Sequence, residues 1–308
     1  MNILNIACGA VGAYCSGRLA ENGAKVAVTI RSSFEEIKAK GFEITSIAGN
    51  FKFMPDEVLT SSKEYKNDAD YIFITSKVLP NANTVALLDG VVKENTVIVL
   101  IQNGLSIEDK IAKAYPNNEI LSCVAYLGIN RTTGNKIIHQ GGGQLRIGKF
   151  GGGPSLAAQK LCDAFNAAKI EAIYTCDIAF ERWQKLLWNI TFNAISVAGG
   201  GLKTSEICDN GLLEDLGRSL MEEIIKVANS VKVALSFDMI EEMITFTRNF
   251  PPYKTSMLID FECKRPLEIE AIVGEVVRLG KANNIPVPHL ETIYALLTSL
   301  DKLNIKNM

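Results

Sequence analysis

Histidine is scarce in this chain, which limits the chemistry that its side chains can perform. The 308 residues include only two histidines, His139 and His289, which stand far apart in the sequence. Histidine-based metal sites and Ser-His-Asp triads both depend on histidine, and two distant residues would have to meet in the fold to build either. We therefore expect no metal site, and we expect both histidines to be structural or surface residues.

Paired cysteines are also lacking. The seven cysteines are odd in number, scattered along the chain and never arranged as Cys-x-x-Cys. This distribution is typical of reduced thiols rather than of a disulfide framework or a redox motif. The sequence thus favours a cytoplasmic protein with free cysteines.

Strong charge and long apolar runs are missing as well. The formal net charge is −2 at pH 7, and no run reaches the roughly 18 apolar residues of a membrane span. Nucleic acid and membranes are therefore not expected as partners. The N-terminus has no basic segment and enters a strand-like run at once, unlike a signal peptide. The chain is long enough for two globular domains.

A glycine-containing turn between two apolar runs is the most informative feature that is present. Residues 2–7 read as a short strand, a helix-like run follows up to Gly23, and residues 26–30 form a second apolar run. The turn and the start of the helix comprise Ala7, Cys8, Gly9, Ala10, Val11 and Gly12. Such a β-α-β unit places a pyrophosphate at a helix N-terminus, where Gly9 allows close approach and Gly12 close packing. A tight turn could look the same in isolation, but its context predicts a dinucleotide site.

The residue after the second strand indicates which dinucleotide binds. Arg31 stands where NAD-binding chains tend to place an Asp or Glu for the ribose 2′-hydroxyl. A guanidinium can form charge-assisted hydrogen bonds to a 2′-phosphate, and Ser32 and Ser33 could donate further ones. We therefore predict NADP(H) as the cofactor, the alternative being a solvated arginine at the end of a strand.

Residues 1–175 alternate apolar runs with helical stretches, a pattern typical of a doubly wound parallel sheet. Further strands are predicted at 71–75, 96–101 and 119–122, separated by helices at about 80–93 and 105–114. An antiparallel addition is predicted at 124–130, 134–140 and 144–149, followed by a helix at about 154–168 and a strand at 171–175. We interpret residues 1–175 as an NADP-binding, Rossmann-type α/β domain.

Residues 176–308 show helical periodicity and little strand signal. Helices are predicted at about 178–198, 211–233, 237–249, 255–264, 268–284 and 289–301. Asn210-Gly211 and Pro251-Pro252 separate some of them. We interpret residues 176–308 as an all-helical domain for the substrate and for dimerisation, in which the long segment 211–233 could support a homodimer. The substrate would bind in a cleft between the two domains.

Polar side chains follow two of the predicted strands. Lys77 comes after strand 71–75, and Gln102-Asn103-Gly104 comes after strand 96–101. Ligands of doubly wound sheets bind at these strand ends, so Lys77 could reach cofactor phosphates and Asn103 the nicotinamide edge. A solvated lysine and an ordinary Asn-Gly turn are the alternatives.

Two more polar clusters lie in the helical region. Lys185, Asn189 and Asn193 are spaced i, i+4, i+8 among strongly apolar neighbours, so they share one helix face. They could orient a small polar substrate and transfer a proton to it, or they could form a solvent-facing stripe. Farther along, Ser256 could bind a carboxylate and Glu268 a hydroxyl or a lysine, although both stand where helix-capping or first-turn residues are common.

Taken in order, these residues resemble the ketopantoate reductase (2-dehydropantoate 2-reductase) family over essentially the whole chain. The resemblance is carried by Gly9-Ala10-Val11-Gly12, Arg31, Lys77, Gln102-Asn103-Gly104, Trp183-Gln184-Lys185 with Asn189 and Asn193, Lys254-Thr255-Ser256-Met257 with Asp260 and Glu268, and Ile285-Pro286-Val287-Pro288. It implies a Rossmann-type sheet with a C-terminal helical domain, like that of 6-phosphogluconate dehydrogenase.

The resemblance also implies a reaction, the NADPH-dependent reduction of 2-dehydropantoate to pantoate on the route to pantothenate and coenzyme A. Lys185 would be the general acid, and Glu268 would orient this lysine and the substrate hydroxyl beside the cofactor. Asn103 would bridge the nicotinamide and the substrate. The resemblance assigns substrate contacts to Asn189, Asn193 and Ser256, and the 2′-phosphate end of the cofactor to Arg31 and Lys77.

Three departures from the family pattern keep other functions open. Ala7 replaces the first glycine of the dinucleotide fingerprint, Tyr253 stands where members carry an Asn, and Ala194-Ile195-Ser196 replaces a Pro-Leu-Thr. The alternatives are an NADPH-dependent reductase of another 2-keto acid and a catalytically idle NADP-binding sensor. The presence of both Lys185 and Glu268 favours an enzyme.

Overall fold

The structure, a computed structural model, describes residues 1–306 and divides into two units. The first unit comprises residues 1–77, 81–102 and 107–178, and the second comprises 78–80, 103–106 and the chain from 179 onward. The division after Ile178 lies three residues beyond the boundary expected at 175. Two short segments that follow strands of the first unit are thus part of the second.

A ten-stranded sheet is the frame of the first unit. Its strands are β1 (Asn2–Ile6), β2 (Lys25–Thr29), β3 (Phe42–Ser46), β4 (Phe51–Phe53), β5 (Glu57–Leu59), β6 (Tyr71–Ile74), β7 (Val97–Leu100), β8 (Ile120–Arg131), β9 (Lys136–Lys149) and β10 (Glu171–Tyr174). They lie in the order β4-β3-β9-β8-β7-β6-β1-β2-β5, and β10 pairs with β9. Strand β1 is parallel to both of its neighbours, β2 on one side and β6 on the other. The chain builds the sheet outward from β1 first on the β2 side and later on the β6 side, so the strand order reverses at β1. Ligands of such sheets bind at this reversal point.

Helices cover the sheet and enclose two apolar cores. They are α1 (Ala10–Glu21), α2 (Phe34–Lys40), α3 (Asp109–Ala114) and α4 (Leu156–Ala167). Successive side chains of a strand point to opposite faces. In β6, Phe73 accordingly belongs to one core, whereas Ile72 and Ile74 belong to the other. This arrangement confirms the predicted doubly wound α/β fold.

Two helices predicted in this unit are wrong or too long. The segment 80–93 holds only a 3₁₀ turn, Val85–Leu88, because Pro80 cannot donate a backbone hydrogen bond and Gly90 adopts a φ of +80°. The helix predicted at 105–114 begins only at Asp109. Ser106 has a φ of +54°, which is incompatible with a right-handed helix.

The predicted antiparallel addition is a single long hairpin. Strand β8 continues through the break expected after 122, and β9 continues through Gly141-Gly142-Gly143. Gly142 takes a φ of +70°, and the pairing of the two strands shifts register nearby. The glycines therefore bend a strand rather than end it. The prediction also omitted the elements α2 to β5, although the alternating burial of β3 is a typical strand signal.

The second unit is helical throughout its described residues, as predicted. Its helices are α5 (Ile178–Ala198, which starts at the last residue of the first unit), α6 (Thr204–Cys208), α7 (Gly211–Ser230), α8 (Asp238–Asn249), α9 (Ser256–Glu262), α10 (Glu275–Ala282) and α11 (Pro288–Lys306). The sequence did not predict the short α6. A π-helical turn, Glu270–Gly274, runs directly into α10, where a continuous helix was expected. Within residues 1–306, no helix is long and apolar enough to cross a membrane.

Candidate active site

The turn before α1 has the properties of an anion site. Gly9 is the N-cap of α1, no side chain within residues 1–306 caps the helix, and the first turn carries no acidic residue. The half-buried Ala10 and Val11 follow. Backbone amides and the positive end of the helix dipole both favour a phosphate at this position. A Cβ atom on Gly9 would meet nothing within 4 Å. The turn therefore fits the pyrophosphate of a dinucleotide.

Gly12 is a packing position. A Cβ atom there would lie 2.5 Å from Thr75 Oγ1 and 2.7 Å from Asn5 Nδ2. Thr75 donates a hydrogen bond to Asn5 Oδ1 (2.8 Å), and Asn5 donates one to Ser16 Oγ (2.8 Å). This polar network joins β1, β6 and α1 below the turn, so only glycine fits at position 12.

Ala7 and Cys8 shape the turn through their backbone. Ala7 has a φ of +56°, a left-handed conformation that favours glycine. Its amide donates to Thr29 Oγ1 (2.8 Å), and the Cys8 amide donates to Thr29 O (3.0 Å). The Cys8 side chain is buried, and burial raises the pKa of its thiol. Both amides are thus engaged within the fold, and any contact of these residues with a dinucleotide would use other atoms.

The strand end that carries Arg31 is held by a second arginine. Arg31 follows β2 and is exposed. Arg131, at the end of β8, donates hydrogen bonds to Ser32 Oγ (3.3 Å), Ser32 O (3.2 Å) and Gly134 O (2.8 Å). No sequence pattern pointed to Arg131, because it lies 99 residues from Ser32. It anchors the segment in which the 2′-phosphate contacts were predicted.

Hydrogen bonds connect the residues that follow β6 and β7. Gln102 Nε2 donates to Ser76 O (2.7 Å) and to Ser76 Oγ (3.0 Å). The half-buried Lys77 follows Ser76 directly. Because β1, β6 and β7 are parallel neighbours, Lys77 and the turn at residues 7–12 lie at the same edge of the sheet.

In the second unit, α5 brings Lys185 to Asn103. Lys185 Nζ donates a hydrogen bond to Asn103 Oδ1 at 2.7 Å. The side chains of the same stripe are buried, with Asn189 7% and Asn193 1% exposed, whereas Lys185 is half-buried. A solvent-facing stripe is therefore ruled out. Asn103, which could have been an ordinary turn residue, binds the lysine.

Asn193 and Ser256 also meet. Asn193 Oδ1 accepts hydrogen bonds from the Met257 amide (3.2 Å) and, at 3.5 Å, from Ser256 Oγ. The Asn193 Nδ2 atom is buried and has no hydrogen-bond partner within residues 1–306. The cap of α9 is Thr255, whose Oγ1 accepts from the Leu258 amide (3.3 Å). The side chain of Ser256 is therefore not needed as a cap.

Glu268 holds a backbone amide of a segment that is remote in sequence. Its Oε1 accepts from the Val78 amide at 2.8 Å, although the two residues are 190 positions apart. Glu268 is half-buried and lies just before the π-helical turn 270–274. Such turns often occur at functional sites. The residues predicted for chemistry in the second unit thus lie on α5, on the segment 103–106, at the start of α9 and just before the π turn.

Neither histidine belongs to these groups. His139 is buried against Ser46 Oγ (2.9 Å), and His289 lies at the start of α11, where Nδ1 is 2.7 Å from Glu223. No set of three or more His, Cys, Asp or Glu residues in the described part of the chain could hold a metal ion.

Two family models match this chain. The model described as ketopantoate reductase PanE/ApbA matches residues 3–152, and its C-terminal counterpart matches residues 177–301. The chain belongs to the ketopantoate reductase family. It is therefore an oxidoreductase of a family that uses nicotinamide dinucleotides.

Known relatives agree with this assignment. A 2-dehydropantoate 2-reductase of Nostoc sp. is 29% identical over 301 residues, which cover 96% of this chain and 94% of the relative. The crystal structure of 2-dehydropantoate 2-reductase from Methylococcus capsulatus is 41% identical, with a TM-score of 0.92 and coverage of 99% and 98%. A D-mandelate dehydrogenase with NADH and anilino(oxo)acetate has a TM-score of 0.88 and coverage of 99% of each chain, but at 21% identity it shows only a shared fold.

Proposed function

We propose that this protein reduces 2-dehydropantoate to pantoate with NADPH, in the cytoplasm, as a step toward pantothenate and coenzyme A. The observation that carries the proposal is the 2.7 Å hydrogen bond from Lys185 to Asn103, on a buried polar stripe of a ketopantoate reductase family member. The names of the Nostoc and Methylococcus relatives support the substrate. Seven free cysteines suit a reducing compartment.

Lys185 would act as the general acid. When bound, the reduced nicotinamide supplies a hydride to the 2-keto carbon. Lys185 would donate a proton to the oxygen on which negative charge develops, and its ammonium charge would stabilise that oxygen. Asn103 would fix the direction of the lysine and reach the nicotinamide, and Glu268 would orient the substrate hydroxyl.

The remaining polar groups would hold the substrate. Asn193 Nδ2 is a buried donor with no hydrogen-bond partner within residues 1–306, and Asn189 is buried one helical turn before it, so we assign both amides to a carboxylate or a hydroxyl of the substrate. The exposed hydroxyl of Ser256, next to Asn193, would complete this set. Three uncharged donors are well suited to a small hydroxylated acid.

The first unit would bind NADPH. The turn from Ala7 to Gly12 would hold the pyrophosphate at the start of α1, and Arg31 and Lys77 would bind the phosphate of the adenosine end. An arginine rather than an acid after β2 supports NADPH over NADH.

A second candidate is a reductase of another 2-keto acid. The ring of Tyr253 lies 6.3 Å from that of Trp188, the residue before Asn189, and burial raises the pKa of the Tyr253 phenol. An aromatic pair next to the polar stripe would favour a bulkier, more apolar substrate than 2-dehydropantoate. The idle sensor is the third alternative.

The test is NADPH oxidation by the purified protein with 2-dehydropantoate, beside a panel of other 2-keto acids and with NADH in parallel. We expect the highest kcat/KM with 2-dehydropantoate and NADPH. A higher kcat/KM with another 2-keto acid would support the same type of reaction with a different substrate. Tight NADPH binding without turnover of any acid would favour the sensor.

A further inference from the structure

We propose that Arg182 is a positioning residue, which holds the segment 103–106 so that Asn103 meets Lys185. The inference rests on the proposed function, because it concerns the residue assigned as the acid. Arg182 lies three residues before Lys185 on α5 and is only 7% exposed. Burying a guanidinium costs stability unless it is paired and hydrogen-bonded, so its place beside the polar stripe calls for an explanation.

A hydrogen bond of Arg182 indicates what it does there. Its Nη1 donates a hydrogen bond to the Gly104 carbonyl at 3.0 Å, one residue after Asn103. Arg182 and Lys185 are about one helical turn apart, so they share a side of α5. The helix therefore holds the segment at two adjacent points, the backbone of Gly104 and the side-chain amide of Asn103.

The π-helical turn and α10 also hold the segment. The Leu105 amide donates to Ala271 O (2.9 Å), and Ser106 Oγ donates to Glu275 (2.8 Å). Gly104 has a φ of +104°, and a Cβ atom there would lie 2.6 Å from both the Cβ and the carbonyl oxygen of Ala271. The segment is thus packed too closely for a side chain at Gly104, and Arg182 holds the carbonyl of the same residue from α5.

Loss of the guanidinium should therefore act on catalysis through Asn103. Catalytic groups must be held within a fraction of an ångström, and a misplacement of about 1 Å can reduce the rate by about a hundredfold. Binding of NADPH should change little, because the predicted cofactor contacts of the first unit remain and only the nicotinamide contact proposed for Asn103 would shift.

The experiment compares Arg182→Met, which keeps the length but has no donor, with Arg182→Lys, which keeps a donor. We expect kcat to fall by about tenfold to a hundredfold in Arg182→Met and less in Arg182→Lys, with a much smaller change in the Kd for NADPH. Gly104→Ala, which displaces the same segment by steric overlap, should reduce kcat similarly. Arg182→Met and Gly104→Ala thus test the same segment independently, so the inference can still be tested if one of them folds poorly.

A control variant and a double-mutant cycle separate positioning from general stability. Arg18 is also buried (3% exposed) and also donates to loop carbonyls, those of Ala48 (2.9 Å) and Gly49 (2.8 Å), so Arg18→Met should lower stability without a matching loss of kcat. If Arg182 acts through Asn103, adding Arg182→Met to Asn103→Ala should cost little more than Asn103→Ala alone.

The inference is overturned if Arg182→Met keeps the wild-type kcat, or if its effect multiplies fully with that of Asn103→Ala. Failure of the proposed function would look different, because the wild type itself would then not turn over 2-dehydropantoate, whereas turnover by Lys185→Ala would refute only the general-acid role of Lys185. If Lys185→Ala is inactive while Arg182→Met is fully active, the general acid stands and only the positioning role is refuted.

Discussion

At the scale of single residues, two glycines of the same turn have separate tasks. Gly9 faces open space in front of α1, whereas Gly12 packs against the side chains of Thr75 and Asn5. The close packing at Gly12 was predicted from the sequence, because a strand followed by a turn and a helix leaves few ways to build the connection. The approach of a phosphate to Gly9 stays a prediction. Their different surroundings allow binding and folding to be tested separately.

We expect Gly9→Ala and Gly12→Ala to fail in different ways. Gly9 has a φ of −91°, which alanine adopts, so this variant should fold normally but bind NADPH more weakly, because the methyl group occupies the space for the phosphate. Gly12→Ala should lose about 1–3 kcal/mol of unfolding free energy through steric overlap. Urea denaturation measures the unfolding free energy of each variant, and titration with NADPH measures its affinity for the cofactor. Equal stability of the two variants would contradict this view of the turn.

Burial of His139 predicts how stability depends on pH. Desolvation lowers the pKa of His139 below its ordinary 6.5, and the nearby Arg18 acts in the same direction. As the pH falls, the unfolded chain therefore takes up the proton first. The contribution of neutral, buried His139 to the free energy of unfolding is complete above about pH 6.5 and is lost as the pH falls below that value.

The measurement is urea denaturation of the wild type and of His139→Gln from about pH 8 to about pH 5. The wild type should lose more stability toward acid than the variant does. Parallel curves for the two proteins would show that His139 does not titrate as expected.

At the scale of elements, a buried carboxylate on α7 fixes the start of α11. Glu223 is 4% exposed and accepts hydrogen bonds from the amides of His289 (3.0 Å) and Leu290 (2.9 Å). It acts as an N-cap supplied by another helix. No local sequence pattern could reveal it, because the cap lies 66 residues from the amides.

Glu223→Ala should therefore destabilise the protein by about 1–3 kcal/mol, because the amide of His289 and the buried amide of Leu290 lose their acceptor. Glu222→Ala is the matched control, since its carboxylate is half exposed and forms only a surface pair with Lys226 at 3.5 Å. That control should change the unfolding free energy by less than about 0.5 kcal/mol. Similar losses in both variants, measured by urea denaturation, would refute the cap.

The elements also show where sequence reasoning stopped. Long amphipathic helices such as α5 and α7 were located to within a few residues, because a period of 3.6 over many residues is a strong signal. The segment 80–93 lacked that signal and was assigned wrongly. The π-helical turn 270–274 was missed as well, because it leaves the apolar pattern of its segment almost unchanged.

At the scale of the whole molecule, the candidate site draws on segments that no local pattern connects. The stripe on α5 was predictable from its spacing, and the ordered set of motifs predicted the family. The contacts of Asn103 with Lys185 and of Glu268 with Val78 span 82 and 190 positions. These contacts arise because segments 78–80 and 103–106 belong to the second unit, which the sequence did not reveal.

The homodimer stays a prediction, which light scattering of the purified protein would test.

The most direct measurement of the central claim is the turnover of Lys185→Ala together with its affinity for NADPH. We predict that kcat falls by about 10²–10⁴-fold while the Kd for NADPH stays within about twofold of the wild type. Lys254→Ala, which removes an exposed lysine paired with Glu262 at 2.7 Å, should keep full activity. Turnover by Lys185→Ala close to that of the wild type would contradict the assignment of Lys185 as the general acid.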